Sequence, residues 1–175
     1  MTKRAFVKRV SNSKGDFLQG FIDILKKEKI PFCVIGGLGV NAYVEPIVSL
    51  DLDVVISLSK IDSLVEILKK RFNVKKETHS INIASSSSDL RIQIQRDPKY
   101  QIFITKASYR NVLGYEMPVA SVEDILQGKI WAYQDKTRRP SKRKKDLTDI
   151  MRLVETYPDL ISRLPEEIKK EVNEA

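Results

Sequence analysis

Two glycines and two aspartates are the residues of this chain whose types and spacing suggest chemistry. Gly36 and Gly37 follow the short apolar run Phe32-Cys33-Val34-Ile35, and Asp51 and Asp53 follow thirteen residues later inside a second apolar run, Ser49 to Ser57. Glycines and acids are poor strand material, so their place beside core strands needs a reason. Glycine lets backbone N–H groups come close to a phosphate. Residues two apart on a strand share a face, so Asp51 and Asp53 can hold divalent ions together. Such ions bridge phosphates and an attacking hydroxyl. Separately, a Gly-Gly pair is often only a tight turn, and an Asp-x-Asp strand is often a solvated face. The conjunction is sharper, because carboxylates in an apolar strand repel unless a cation is near.

A second phosphate-binding pattern overlaps the first. Gly37-Leu38-Gly39-Val40-Asn41-Ala42 fits G-x-G-x-x-A directly after a strand. That fingerprint also needs a crossover helix and an acid about 20 residues on. Here Pro46 leaves only ~2 turns of helix, and the acids arrive early, at the front of the next strand.

The elements that must position these residues can be read along the chain. Phe17, Leu18, Phe21, Ile22 and Leu25 predict an amphipathic helix over 15–29. "FCVI" (32–35) reads as a buried strand, 37–45 as a short helix and 49–57 as a strand. Ser59 and Asp62 predict a capping box for a helix ending near Phe72. Short strands are expected near 73–78, 80–84, 90–96 and 100–105, with Ser85 to Ser88 as a polar turn. In "DLRIQIQR" Leu90, Ile92 and Ile94 face one way and Arg91, Gln93 and Gln95 the other. Ser121 and Asp124 open a capped helix carrying Ile125, Leu126, Ile130 and Tyr133 on one face. A helix over 144–156 turns Leu147, Ile150, Met151 and Val154 inward, and Pro165 starts a last short helix. The expected fold class is α/β (α+β): a mixed sheet flanked by helices over 1–118, then a helical region over 119–175.

Composition bounds the chemistry. Of the 175 residues 42% are apolar and 31% charged, which is ordinary for a globular domain. The single cysteine, Cys33, excludes a disulfide framework, and one histidine, His79, excludes a zinc pattern. A metal site must then be built from carboxylates, which favours magnesium or manganese. The start has no apolar stretch of signal-peptide length and the chain none of membrane-spanning length, so the expectation is a cytoplasmic protein with no membrane contact. The net charge of +8 is local: residues 136–145 hold seven basic residues and no acid, against 24 basic and 23 acidic elsewhere. That run reads either as a solvated loop or as a polyanion contact through Arg138, Arg139, Lys142, Arg143 and Lys144. Trp131 and Tyr133, near the run, can stack a base or pack inward.

The order of these features resembles the signature of the nucleotidyltransferase superfamily, h-G-[GS]-x(9–13)-D-h-[DE]-h, with h apolar. "SVEDILQGKIWAY" followed by a basic linker and "KDLTDIMRLVE" is similar to the helical tail of AbiEii-type nucleotidyltransferases of toxin–antitoxin and phage-defence systems. The resemblance covers roughly residues 30–157. It implies a polymerase-beta-like fold, Asp51 and Asp53 as metal and catalytic residues, and Gly36, Gly37 and Ser49 at an NTP, with Mg2+ or Mn2+. It also implies roles for Lys129 at the nucleotide and in catalysis, for Asp146 at the nucleotide, and for Lys145 and Asp149 at the start of the second tail helix. For Lys129 three readings stay open: snorkelling to the surface, reaching a phosphate, or pairing with Asp146 as a scaffold. For Asp146 the plainer alternative is an acid at a helix N-terminus.

The implied activity moves a nucleoside monophosphate to a hydroxyl of RNA, such as a tRNA end, or of a protein, with a cognate antitoxin or toxin as a further expected partner. The chain departs from the pattern in two places. Relatives carry a third carboxylate on a later strand, where this chain has Gln93, with Gln95 second and Asp89 at the strand's entrance. Many carry an arginine four residues before the first aspartate, where this chain has Ile47. Glutamine cannot serve as a general base, so a protein that binds nucleotide, RNA or a partner without turnover is the competing reading.

Overall fold

The structure, a computed structural model, describes residues 2–10 and 16–174. Its centre is a seven-stranded mixed sheet in the order β3-β4-β5-β2-β1-β7-β6. The strands are β1 (Phe32–Ile35), β2 (Asp51–Ile56), β3 (Asn73–Lys76), β4 (Ser80–Ser85), β5 (Ser88–Gln95), β6 (Ser108–Val112) and β7 (Tyr115–Val119). The pairs β2/β5 and β1/β7 are parallel and the rest antiparallel. The helices are α1 (Lys3–Val10), α2 (Phe17–Lys27), α3 (Gly36–Val40), α4 (Ile61–Leu68), α5 (Val122–Gln134), α6 (Pro140–Thr156) and α7 (Glu166–Asn173). Among the described residues no helix is long and apolar enough to cross a membrane.

Side-chain alternation splits β2 into two faces. Leu52, Val54 and Ile56 are fully buried in the core that also takes the apolar faces of α2 and α4. Asp51 and Asp53 point the other way, toward α5 and α6. Asp16 starts α2 by accepting from the Gln19 N–H, and Phe17 meets Phe72 edge-on at 5.0 Å.

Four local expectations are corrected. The Ser59/Asp62 capping box does not form: a 3-10 turn, Leu58–Lys60, precedes α4, and Ser59 bonds the Ser57 hydroxyl instead. The run 100–105 is not a strand but part of the 3-10 helix Pro98–Lys106. Asp97 caps that helix by accepting from the Lys99 N–H, and Pro98 suits its first turn. Three-residue spacing then buries Tyr100 and Phe103 together. The β6–β7 hairpin has no counterpart in the sequence reading. Its turn, Leu113-Gly114, has positive φ at both residues (57° and 89°), where Asn-Gly is the usual signal. Helix α6 begins at Pro140 rather than at 144, so Asp146 lies well inside it and is not an N-terminal acid. Leu147 and Met151 are half-buried, and Leu153 joins Ile150 and Val154 in the core.

Candidate active site

The glycine turn and the aspartates meet because β1 and β2 run antiparallel with Ile35 opposite Asp53. Gly36 follows Ile35 with φ +67°, a conformation that L side chains resist. A methyl there would lie 2.1 Å from Asp53 Oδ2 and 2.9 Å from Asp53 Cβ. The space that a side chain would need is occupied by the aspartate. At Gly37 the case is reversed: a methyl would meet nothing within 4 Å, because the residue borders an open cleft.

That cleft is lined by Gly37, Ser49, Asp51, Asp53 and Gln93 from the sheet side. Lys129 of α5 lines it from above, with Arg138, Lys142, Lys145 and Asp146 of the linker and α6. A second cleft of about 130 Å³ adjoins it, sharing Asp53, Gln93, Lys129, Arg138 and Asp146 and extending to Gln95, Tyr100 and Phe103. Burial pushes the Asp53 carboxyl above its ordinary range and Asp51 adds to the push, while Lys129 and Arg138 oppose it. Asp51 is less enclosed. Arg91 Nε lies 3.0 Å from its Oδ1 and Lys142 Nζ 4.0 Å from its Oδ2.

Behind the cleft is a buried ionic network. Lys129, 7% exposed, does not snorkel. Its ammonium lies 2.9 Å from Asp146 Oδ1 and 2.7 Å from Asp149 Oδ2. Burial alone would lower its pKa, but the two carboxylates outweigh that and hold it above the ordinary lysine value. Arg138 Nε donates to Asp146 Oδ2 at 2.7 Å and Arg152 Nη1 to Asp149 Oδ1 at 2.8 Å. Arg152 also reaches the Asn41 side chain and the Glu45 carbonyl, while Asn41 bonds both backbone groups of Ile47. The loop that delivers Ser49 and Asp51 is thus fastened to α6, and α6 to α5.

The parallel register of β2 and β5 places Gln93 level with Asp53 and Arg91 level with Asp51. Gln93 therefore lines the cleft beside Asp53. Asp89 is exposed, two residues before Arg91 on the same face of β5. Among the described residues no cluster of three or more His, Cys, Asp or Glu side chains is gathered as for a metal. The residues present fit a divalent ion all the same: two carboxylates share a strand face, one is desolvated, and both border open space beside Gly37 that phosphate oxygens can fill.

The basic run divides. Arg138 is engaged with Asp146; Arg143 Nε donates to the Tyr133 carbonyl, its guanidinium 5.2 Å from the Tyr133 ring. Arg139 and Lys144 are exposed. Trp131 stacks on Phe103 with ring centroids 5.7 Å apart, and His79 is exposed in the β3–β4 turn. Burial pushes the Cys33 thiol up to about 12, and it takes no part in the cleft. Sequence reasoning missed Arg91, Arg152 and Asn41. The alternation of β5 put Arg91 on the face of Gln93, but only strand pairing shows that it meets Asp51.

Comparison with known proteins bears on the fold. The family model described as "Nucleotidyl transferase AbiEii toxin, Type IV TA system" matches residues 108–172. No curated protein matches the chain in sequence. Among solved structures, the lincosamide antibiotic adenylyltransferase LnuA, lincomycin-bound, superposes with a TM-score of 0.54 at 12% identity, covering 81% of this chain and 99% of that one. A nucleotidyltransferase from Thermotoga maritima, described as putative, superposes with a TM-score of 0.55 at 16% identity, covering 85% and 96%. ANT(2")-Ia in complex with adenylyl-2"-tobramycin gives 0.54 at 14%, covering 90% and 95%. The chain carries the nucleotidyltransferase fold, and its helical tail matches the AbiEii family model.

Proposed function

We propose that the cleft binds a nucleoside triphosphate with a divalent ion and transfers the nucleoside monophosphate to a hydroxyl acceptor. One observation carries this reading: Asp51 and Asp53 face the side-chain-free turn at Gly37, across from the cations of α6. Asp51 and Asp53 would hold Mg2+ or Mn2+, which when bound supplies charge neutralisation to the phosphates. Gly36, Gly37 and Ser49 shape the phosphate side. Lys142 and Lys145 add positive charge where a polyphosphate has to sit. Lys129 and Asp146 serve as scaffold: the lysine is spent on two carboxylates, and Asp146 on two cations.

The proposed acceptor is RNA, a tRNA end being one form, reached over exposed Arg139 and Lys144; a protein hydroxyl is the fallback. A cognate antitoxin and a cytoplasmic location go with the toxin–antitoxin character of the matched family. Gln93 favours a second reading, in which nucleotide binds without turnover, because no carboxylate stands level with Asp53 on β5 to take a proton.

The test is to titrate ATP, CTP, GTP and UTP with Mg2+ into wild type and Asp51→Asn/Asp53→Asn, following thermal stability. A ligand at 100 times its Kd adds about 2.7 kcal/mol. The expected outcome is metal-dependent stabilisation by a subset of nucleotides, lost in the double variant. Stabilisation without transfer of an α-phosphate label to any acceptor selects the second reading. No stabilisation by any nucleotide removes both.

A further inference from the structure

Resting on the reading of the cleft as a metal–nucleotide site, we infer that it takes a single divalent ion, and that the Arg91 guanidinium is the fixed cation standing where a second ion would be drawn. Three observations converge. The register puts Arg91 level with Asp51 and Gln93 level with Asp53, so β5 offers this face a cation and a neutral amide. Arg91 Nε already lies 3.0 Å from Asp51 Oδ1, which leaves Oδ2 for an ion. Lys142 Nζ, 4.0 Å from that oxygen, is the cation an ion would displace.

Among the described residues, the other carboxylate lining the cleft of Asp51 and Asp53 is Asp146, and Asp124 lines the adjoining cleft but not this one. Asp146 has one oxygen on Lys129 and the other on Arg138. Asp89 is four residues from Gln93 along β5, about 13 Å at strand rise. Two divalent ions a few ångströms apart need carboxylates shared between them and around them. Asp51 and Asp53 alone, with one oxygen committed to a guanidinium, supply one ion together with phosphate oxygens. The guanidinium adds a permanent positive charge beside that ion, one that does not depend on metal concentration.

The experiment counts ions rather than activity. Mn2+ is titrated into the full chain with α,β-methylene-ATP, or the same analogue of whichever nucleotide stabilises most, and free Mn2+ is followed by electron paramagnetic resonance. Wild type and Arg91→Lys should bind one Mn2+ per chain without cooperativity. Arg91→Ala/Gln93→Glu, two changes at exposed positions, should bind two. Two ions on wild type, or one on the double variant, overturn the inference and leave the proposed function standing. Nucleotide bound with no ion overturns it as well. Loss of both ion and nucleotide on wild type removes the underlying reading too.

Discussion

The two adjacent glycines should respond oppositely to one added methyl. At Gly36 the backbone has φ +67°, which costs an L residue about 1–2 kcal/mol. The methyl would also stand 2.1 Å from Asp53 Oδ2, 2.8 Å from Cγ and 2.9 Å from Cβ. The carboxylate could swing aside, but the aspartate Cβ moves only with β2. That overpacking adds about 1–3 kcal/mol. Gly36→Ala should therefore lose roughly 2–5 kcal/mol, and its Tm should fall by no less than about 4 °C at this chain length. At Gly37 a methyl meets nothing, and the backbone is one alanine accepts. Gly37→Ala should keep the wild-type Tm or gain a few tenths of a kcal/mol through the unfolded state. Its methyl would fill the space beside Asp51 and Asp53, so nucleotide-dependent stabilisation should weaken at least about tenfold in Kd, near 1.4 kcal/mol. Differential scanning fluorimetry of both variants, with and without Mg-NTP, reads both effects. Gly36→Ala within a degree of wild type would refute the packing argument, and Gly37→Ala with undiminished nucleotide binding would refute the placement of the phosphates.

Two further outcomes follow from the charges. Asp53 has its pKa raised by burial, so its ionised form opposes folding: the penalty is present above the raised folded value and disappears below the ordinary carboxylate pKa. Asp53→Asn should accordingly raise the Tm of the ligand-free protein at neutral pH, with the gain shrinking toward pH 4, while nucleotide protection is lost; a lower Tm at pH 7 would contradict this. Lys129→Met leaves two buried carboxylates each with one cation fewer, at about 3 kcal/mol, or roughly 6–12 °C in Tm. Because the Lys129 pKa is raised, its contribution is intact below the ordinary lysine pKa and lost only as pH passes the raised value. A deficit below about 1 kcal/mol in thermal unfolding would refute the argument that the lysine neutralises a buried carboxylate pair.

What was legible in the sequence is what is local. The glycine turn, the Asp-x-Asp strand, the alternating strand with Gln93 and the Ser121-capped helix each depend on a few neighbouring residues, and all four are present. The misread segments are those where two local signals compete. In Tyr100 to Thr105 a β-branched apolar run argued for a strand, but Asp97-Pro98 had already begun a helix whose three-residue spacing buries Tyr100 and Phe103. The β6–β7 hairpin escaped because β6 is almost wholly exposed, so it shows no alternation, and its turn uses Leu-Gly. Arg91 and Arg152 were beyond reach for a different reason. Their partners, Asp51 and Asn41, are 40 and 111 residues away, and only the closed sheet and the packed tail bring them together.

The local basicity of residues 136–145 and the acidity of β2 first appear as separate features, one for a polyanion and one for metal. In the fold they answer each other. Four carboxylates, Asp51, Asp53, Asp146 and Asp149, surround the cleft or lie just behind it, two of them almost fully buried. Unpaired buried carboxylates are strongly unfavourable, so each needs a cation nearby. Arg138 turns inward to Asp146, and Lys142 leans toward Asp51. Part of the run's positive charge is therefore counter-charge for the site. It follows that the seven basic residues of the run overstate the charge free to meet a polyanion there, while the net +8 already counts the carboxylates they face. On the proposed function, a metal–nucleotide complex would bring a cation for Asp51 and an anion for Lys142, and so would replace that pair without leaving either partner bare, while Asp146 keeps its cations as scaffold.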